Sequence, residues 1–181
     1  MTNAPRTYHN IALIGFMGCG KSSVGQLVAE QLQFAFLDTD AWIEQKAGMI
    51  ISQVFEAHGE AAFRKLESNM VRELATRRHT VIATGGGLGA NADHLAALKE
   101  HALVLFLWAS PEVIWRRVRH HSHRPLLQGP DPLATIQALL AEREPVYRQA
   151  DVLVNTEQRP LREVAQQVLH HFEQARQHTG S

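Results

Sequence analysis

Residues 15–22, Gly-Phe-Met-Gly-Cys-Gly-Lys-Ser, constrain this chain more than any other stretch. They match the phosphate loop G-x-x-x-x-G-K-[ST] at every specified position, a loop that works only where a strand delivers it and a helix leaves it. Both flanks are present. Ile11-Ala12-Leu13-Ile14 is an apolar run with the length of a buried parallel strand, and Val24, Leu27, Val28 and Leu32 follow at helical spacing. Glycines in the loop let backbone N–H groups turn toward an anion, Lys21 reaches toward outer phosphates, and the Ser22 hydroxyl suits Mg²⁺. Gly18, Cys19, Gly20, Lys21, Ser22 and Ser23 are therefore the candidate nucleotide-phosphate residues, with a phosphate group and Mg²⁺ as the expected ligands.

The rest of the chain keeps the alternation that such a loop demands. Phe34–Leu37 reads as a second strand ending in Asp38-Thr39-Asp40, with Asp40 capping a short helix to Ala47. Ser52 caps a helical turn that stops at His58-Gly59, and Glu60–Arg77 forms the longest amphipathic stretch. Thr80–Ala83 is a third strand running into Thr84-Gly85-Gly86-Gly87, a helix spans 92–100, and Leu103–Leu107 is the fourth strand. Ser110-Pro111-Glu112 and Asp131-Pro132 open two more helices, Val152–Val154 is a fifth strand, and Arg162–Arg176 a closing helix. Strands separated by helical crossovers predict an α/β fold with a parallel sheet covered on both faces. Residues 1–9 and 177–181 read as loose ends.

At 181 residues the chain suits one domain, with no repeat and no linker. Cations and anions balance at 18 each, which argues against a nucleic-acid or membrane-surface partner. With no leader, no spanning apolar run and one cysteine, Cys19, the expectation is a soluble cytoplasmic protein, and its small size favours a monomer. Cys19 itself reads as a small residue at a variable loop position rather than a reactive thiol. The clustered His120, His121 and His123 read as solvated residues, since nothing fixes a tetrahedral metal set around them.

Three charged features stand where other residues are expected. Asp38 and Asp40, two apart at a strand end, point to one side if the chain stays extended and suit Mg²⁺ or a substrate hydroxyl. In the helix from Glu60, steps of about 100° place Glu67 inside the arc of Phe63, Leu66, Met70, Val71 and Leu74, with Lys65, Arg72 and Thr76 opposite. A carboxylate on an apolar face needs a partner, and Arg64 at the margin of the arc is in reach. Leu133, Ile136, Leu140, Arg143 and Tyr147 form a second ladder in which Arg143 takes a hydrophobic slot, although Pro145 leaves the register beyond it open. Paired acids, two inward arginines and a triple glycine describe a second pocket beside the phosphate loop, fitted to a small hydroxylated carboxylate.

Taken in order, the Gly15–Ser22 loop, Leu37-Asp38-Thr39-Asp40, Phe63-Arg64-Lys65-Leu66-Glu67, Thr84–Gly87, Arg124-Pro125-Leu126-Leu127 and Glu142-Arg143 before Pro145-Val146-Tyr147 resemble the shikimate kinase family from Asn10 to about Pro160. The resemblance implies a P-loop kinase fold: a five-stranded sheet of order 2-3-1-4-5 flanked by helices, an acceptor-binding segment at 41–78 and a lid at 119–131. It implies ATP-dependent phosphorylation of the shikimate 3-hydroxyl. Asp40, Arg64, Gly86 and Arg143 would hold shikimate, and Lys21 and Arg124 would bracket the transferred phosphoryl group. Ser22 would bind Mg²⁺, with Asp38 reaching the ion through water, and Arg117 and Arg159 would flank adenine. A related kinase for gluconate or a nucleoside monophosphate, or a nucleotide switch without transfer, are the competing readings; the switch lacks an Asn-Lys-x-Asp guanine motif.

Overall fold

The computed structural model describes residues 6–120 and 129–177. Strand β1, Asn10–Ile14, is buried at every position and lies at the centre of the sheet. This is what an uninterrupted apolar run requires, because a central parallel strand has a helix layer on each face. Around it, β2 (Ala35–Asp38), β3 (Thr80–Ala83), β4 (Ala102–Trp108) and β5 (Val152–Asn155) complete a five-stranded sheet of order β2-β3-β1-β4-β5. Every pairing is parallel, with Ile11 beside Val81 on one flank and Leu103 on the other. Parallel register aligns the C-terminal ends of β1, β2 and β3, so the segments that follow them emerge along one edge.

Seven helices cross over the sheet among the described residues: α1 (Lys21–Leu32), α2 (Thr39–Ala47), α3 (Ile51–Leu74), α4 (Ala92–His101), α5 (Pro111–Val118), α6 (Pro132–Tyr147) and α7 (Leu161–Gln177), with a 3₁₀ turn at Leu88–Ala90. The predicted break at Gly59 is present: its φ of 75° and ψ of 173° kink α3 into two segments. Beyond the kink the predicted arc holds, with Phe63, Glu67, Met70, Val71 and Leu74 buried and Lys65, Arg72 and Thr76 exposed. The α6 ladder also holds. Ile136, Leu140 and Tyr147 are buried, Arg143 is half-buried, and the helix runs through Pro145 to Tyr147.

Two helix starts differ from the expectations. Asp38, not Asp40, caps α2: its Oδ1 accepts from the N–H of Asp40 at 3.0 Å and of Ala41 at 3.3 Å. The chain turns helical at Thr39, two residues earlier than a cap at Asp40 would give, so the two acids do not project together from an extended strand. Ser52 caps nothing. Helix α3 begins at Ile51, where Gln53 Oε1 accepts from the Ile50 N–H at 3.3 Å and Glu44 Oε1 from the Ile51 N–H at 3.0 Å. Long side chains reaching back from inside each helix do the work assigned to the serine.

At the opposite edge of the sheet, Asp151 secures the N-terminal segment. Its carboxylate pairs with Arg6 at 2.7 Å and Lys99 at 3.2 Å and accepts the Val104 N–H at 2.9 Å, contacts that hold its pKa low against burial. No helix among the described residues is long and apolar enough to cross a membrane.

Candidate active site

The phosphate loop leaves β1 through Gly15, whose φ of 136° is closed to most side chains and whose missing Cβ gives room to the Leu107 carbonyl. Lys21 opens α1 and is 9 % exposed; its ammonium lies across the loop, donating to the Gly15 carbonyl at 2.8 Å and the Phe16 carbonyl at 2.9 Å. The helix N-terminus and the loop amides together favour an anion here. Cys19 is buried at 2 % exposure and its thiol pKa is raised by that burial, so it is a packing residue, as the sequence implied. Behind the loop, Arg117 donates to the Gly18 carbonyl at 3.2 Å and to the Thr156 carbonyl at 2.7 Å, tying the loop to the end of β5. Arg159 lies in the same region, exposed and paired with Glu163 at 2.6 Å.

The two acids after β2 serve different halves of the site. Asp38 Oδ2 accepts the Ser22 hydroxyl at 2.6 Å, bringing two hard oxygen donors together beside the start of α1. That donor set fits Mg²⁺, which takes one or two protein oxygens and fills its octahedron with water and phosphate; among the described residues no cluster of three His, Cys, Asp or Glu competes for a metal. Asp40, half-buried in the first turn of α2, instead lies against Gly85. Burial pushes its pKa up to about 6, Asp38 adding to the shift and Lys21 opposing it.

Three consecutive glycines after β3 collect the remaining charges, one at each glycine. A Cβ on Gly85 would stand 2.9 Å from Asp40 Cγ, one on Gly86 3.5 Å from an Arg143 guanidinium nitrogen, and one on Gly87 3.1 Å from an Arg64 guanidinium nitrogen. The same point on Gly86 is 4.0 Å from the Gly15 carbonyl, so the glycine run borders the phosphate loop directly. Glu67, 2 % exposed, binds Arg64 at 2.7 Å, and Glu60 holds the other side of the guanidinium at 3.0 Å. The pair is asymmetric, since the Arg64 side chain is 44 % exposed: Glu67 anchors an arginine whose outer face remains open. Arg143 stacks over the Phe16 ring with its guanidinium carbon 5.7 Å from the centroid.

Arg124, His121 and His123 lie outside the described residues. Two contributors take roles the sequence motifs around them did not indicate. Thr39, fully buried, accepts the Gly85 N–H on its hydroxyl at 2.7 Å, and Tyr147, the end of the hydrophobic ladder and of the Pro145-Val146-Tyr147 motif, donates to the Gly86 carbonyl at 2.6 Å. Both bonds join segments more than 40 residues apart, which periodicity cannot reveal.

Known proteins resemble this chain in sequence and fold. A family model described as shikimate kinase matches residues 17–173. A shikimate kinase of Caldanaerobacter subterraneus subsp. tengcongensis is 44 % identical over 160 residues, covering 88 % of this chain and 94 % of its own. One of Nitrobacter winogradskyi is 49 % identical over 145 residues, covering 80 % and 68 %. The solved structure of the shikimate kinase of Acinetobacter baumannii in complex with shikimate superposes with a TM-score of 0.86 at 38 % identity, covering 96 % of this chain and 98 % of that one. A family model spanning most of the chain and relatives at this identity lead to one conclusion: the chain belongs to the shikimate kinase family.

Proposed function

We propose that the glycine run is the seam between two substrate sites, with ATP phosphates on Gly18–Ser23 and shikimate on Asp40, Arg64, Gly86 and Arg143. The activity is ATP-dependent phosphorylation of shikimate to shikimate 3-phosphate, leaving ADP. The observation that carries the site assignment is the convergence of one carboxylate and two guanidinium groups on Gly85, Gly86 and Gly87, with Gly15 of the phosphate loop behind them. Two guanidinium groups suit a carboxylate, which they bind through paired N–H donors, and Asp40 suits ring hydroxyls.

Phosphoryl transfer asks mainly for alignment and charge neutralisation. Lys21 meets the charge that builds on the transferred group, and Arg124 shares that role on the family resemblance. Ser22, and Asp38 through water, would hold Mg²⁺, which would supply neutralisation of phosphate charge. Asp40 accepts a hydrogen bond from the 3-hydroxyl and takes its proton as the new O–P bond forms and the bond to ADP breaks. A pKa near 6 makes Asp40 a stronger base than an ordinary aspartate while leaving it mostly ionised at neutral pH. Arg117 and Arg159 flank the adenine. The enzyme acts as a monomer in the cytoplasm, a reading supported by its small size and its single, buried cysteine.

A coupled ADP-release assay tests the assignment. ADP should appear with shikimate and Mg²⁺, and fall to background when gluconate replaces shikimate or when Mg²⁺ is chelated. Equal turnover of gluconate would refute the acceptor, and ADP release independent of any acceptor would refute transfer.

A further inference from the structure

We infer that Tyr147 is a positioning residue of the acceptor site, whose hydroxyl fixes the Gly86 peptide and the Arg143 guanidinium relative to one another. The inference rests on the reading of Arg143 and Gly86 as shikimate-binding groups.

Tyr147 is completely buried and is the largest fully buried side chain among the described residues. A buried phenol needs a partner for its proton, and here the partner is the Gly86 carbonyl at 2.6 Å, reached from the last turn of α6. Arg143 precedes Tyr147 by four residues on the same helix face, and both groups close on one glycine: the point a Cβ on Gly86 would take lies 3.5 Å from an Arg143 guanidinium nitrogen and 3.9 Å from the phenol oxygen. The hydroxyl thus donates to the glycine run beside the arginine. Below it the ring packs on Phe106, with centroids 5.1 Å apart, so the phenol is held at its base as well as at its tip.

The physical need for such a clamp comes from the glycines. A Gly-Gly-Gly segment has no side chains to hold it and the widest backbone freedom of any tripeptide, yet this one must present one fixed face to an anionic acceptor. A carbonyl oxygen turned toward a carboxylate would repel it. Holding the Gly86 oxygen on Tyr147 turns it away from the acceptor, and because a trans peptide carries its C=O and N–H in opposite directions, the Gly87 N–H is fixed facing away from Tyr147. Thr39 does the same for the Gly85 N–H from the other flank. Burial raises the phenol pKa to about 12, with Arg143 opposing, so the hydroxyl keeps its proton throughout the working pH range.

Tyr147→Phe removes the hydroxyl and keeps the ring on Phe106. The expected result is an increase of about tenfold in the shikimate KM, with the ATP KM unchanged and kcat altered far less, the scale of losing one buried hydrogen bond that acts on a ligand site. Because Tyr147 acts through Arg143, the same change made in Arg143→Ala should raise the shikimate KM by less than half as large a factor. A shikimate KM within twofold of wild type, equal rises in both KM values, or full additivity with Arg143→Ala would each overturn the inference. Wild-type turnover of shikimate alongside such a result would leave the acceptor assignment standing; absence of shikimate turnover in wild type would overturn both.

Discussion

Lys21→Ala should lower turnover at least about a thousandfold while the protein stays folded, the scale seen when a transition-state cation is removed from a phosphoryl-transfer site. The Lys21 ammonium donates to the Gly15 and Phe16 carbonyls and belongs to the same turn as the Ser22–Asp38 pair. Removing it takes away a buried positive charge that also opposes the upward shift of Asp40. The sheet and its helices do not depend on it, since the core is formed by the apolar faces of β1, β3 and β4 against the flanking helices. ADP release under saturating ATP and shikimate, read beside the thermal midpoint, checks this. Activity above a tenth of wild type would show that the loop supplies the neutralisation without its lysine.

Asp40→Asn has the second largest expected effect, a loss of about 10² to 10⁴ in kcat, the range of a general base in contact with the reacting proton. The substitution leaves α2 intact, because Asp38 is the residue that caps it. The pH dependence follows from the same group. Its working form is the ionised one, and burial sets the pKa at about 6. Wild-type kcat/KM should therefore be level above neutrality and fall tenfold per pH unit below about 6 as the carboxylate takes up its proton. Asp40→Asn should lose that acid limb together with the activity. A limb that persists unchanged in the variant would assign the titration to another group.

Legibility in the sequence followed the range of the interaction. The strand, loop and helix around Gly15–Ser22 and the inward Glu67 were legible because each is written in residues three to eight apart, where helical or strand periodicity acts directly. The Arg143 slot in α6 was legible for the same reason, and the structure shows the helix passing Pro145 without a break. The sheet order came from the resemblance alone, since parallel pairing leaves no mark in local pattern. Asp38 and Asp40 were misread because the switch from strand to helix falls between them at Thr39. That two-residue shift of the cap sends one acid to Ser22 and the other to Gly85. The roles of Thr39 and Tyr147, though both stand in the motifs of the resemblance, were not legible because their hydroxyls meet partners brought close only by the fold.

The split of the two acids sharpens how the halves of the site join. Asp38 stands with Ser22 on the nucleotide side, Asp40 with the glycine run on the acceptor side, and the peptide between them carries Thr39, which holds Gly85. In the proposed arrangement acceptor recognition falls to Arg64 and Arg143, each beside one glycine and each supported from behind, by Glu67 at 2.7 Å and by the Phe16 ring. The most direct test is the pair of Michaelis constants in Arg64→Ala and Arg143→Ala. Each variant should raise the shikimate KM at least about tenfold and leave the ATP KM within twofold of wild type, as loss of a charged hydrogen bond to one substrate requires. An unchanged shikimate KM in Arg143→Ala would contradict the two-substrate arrangement.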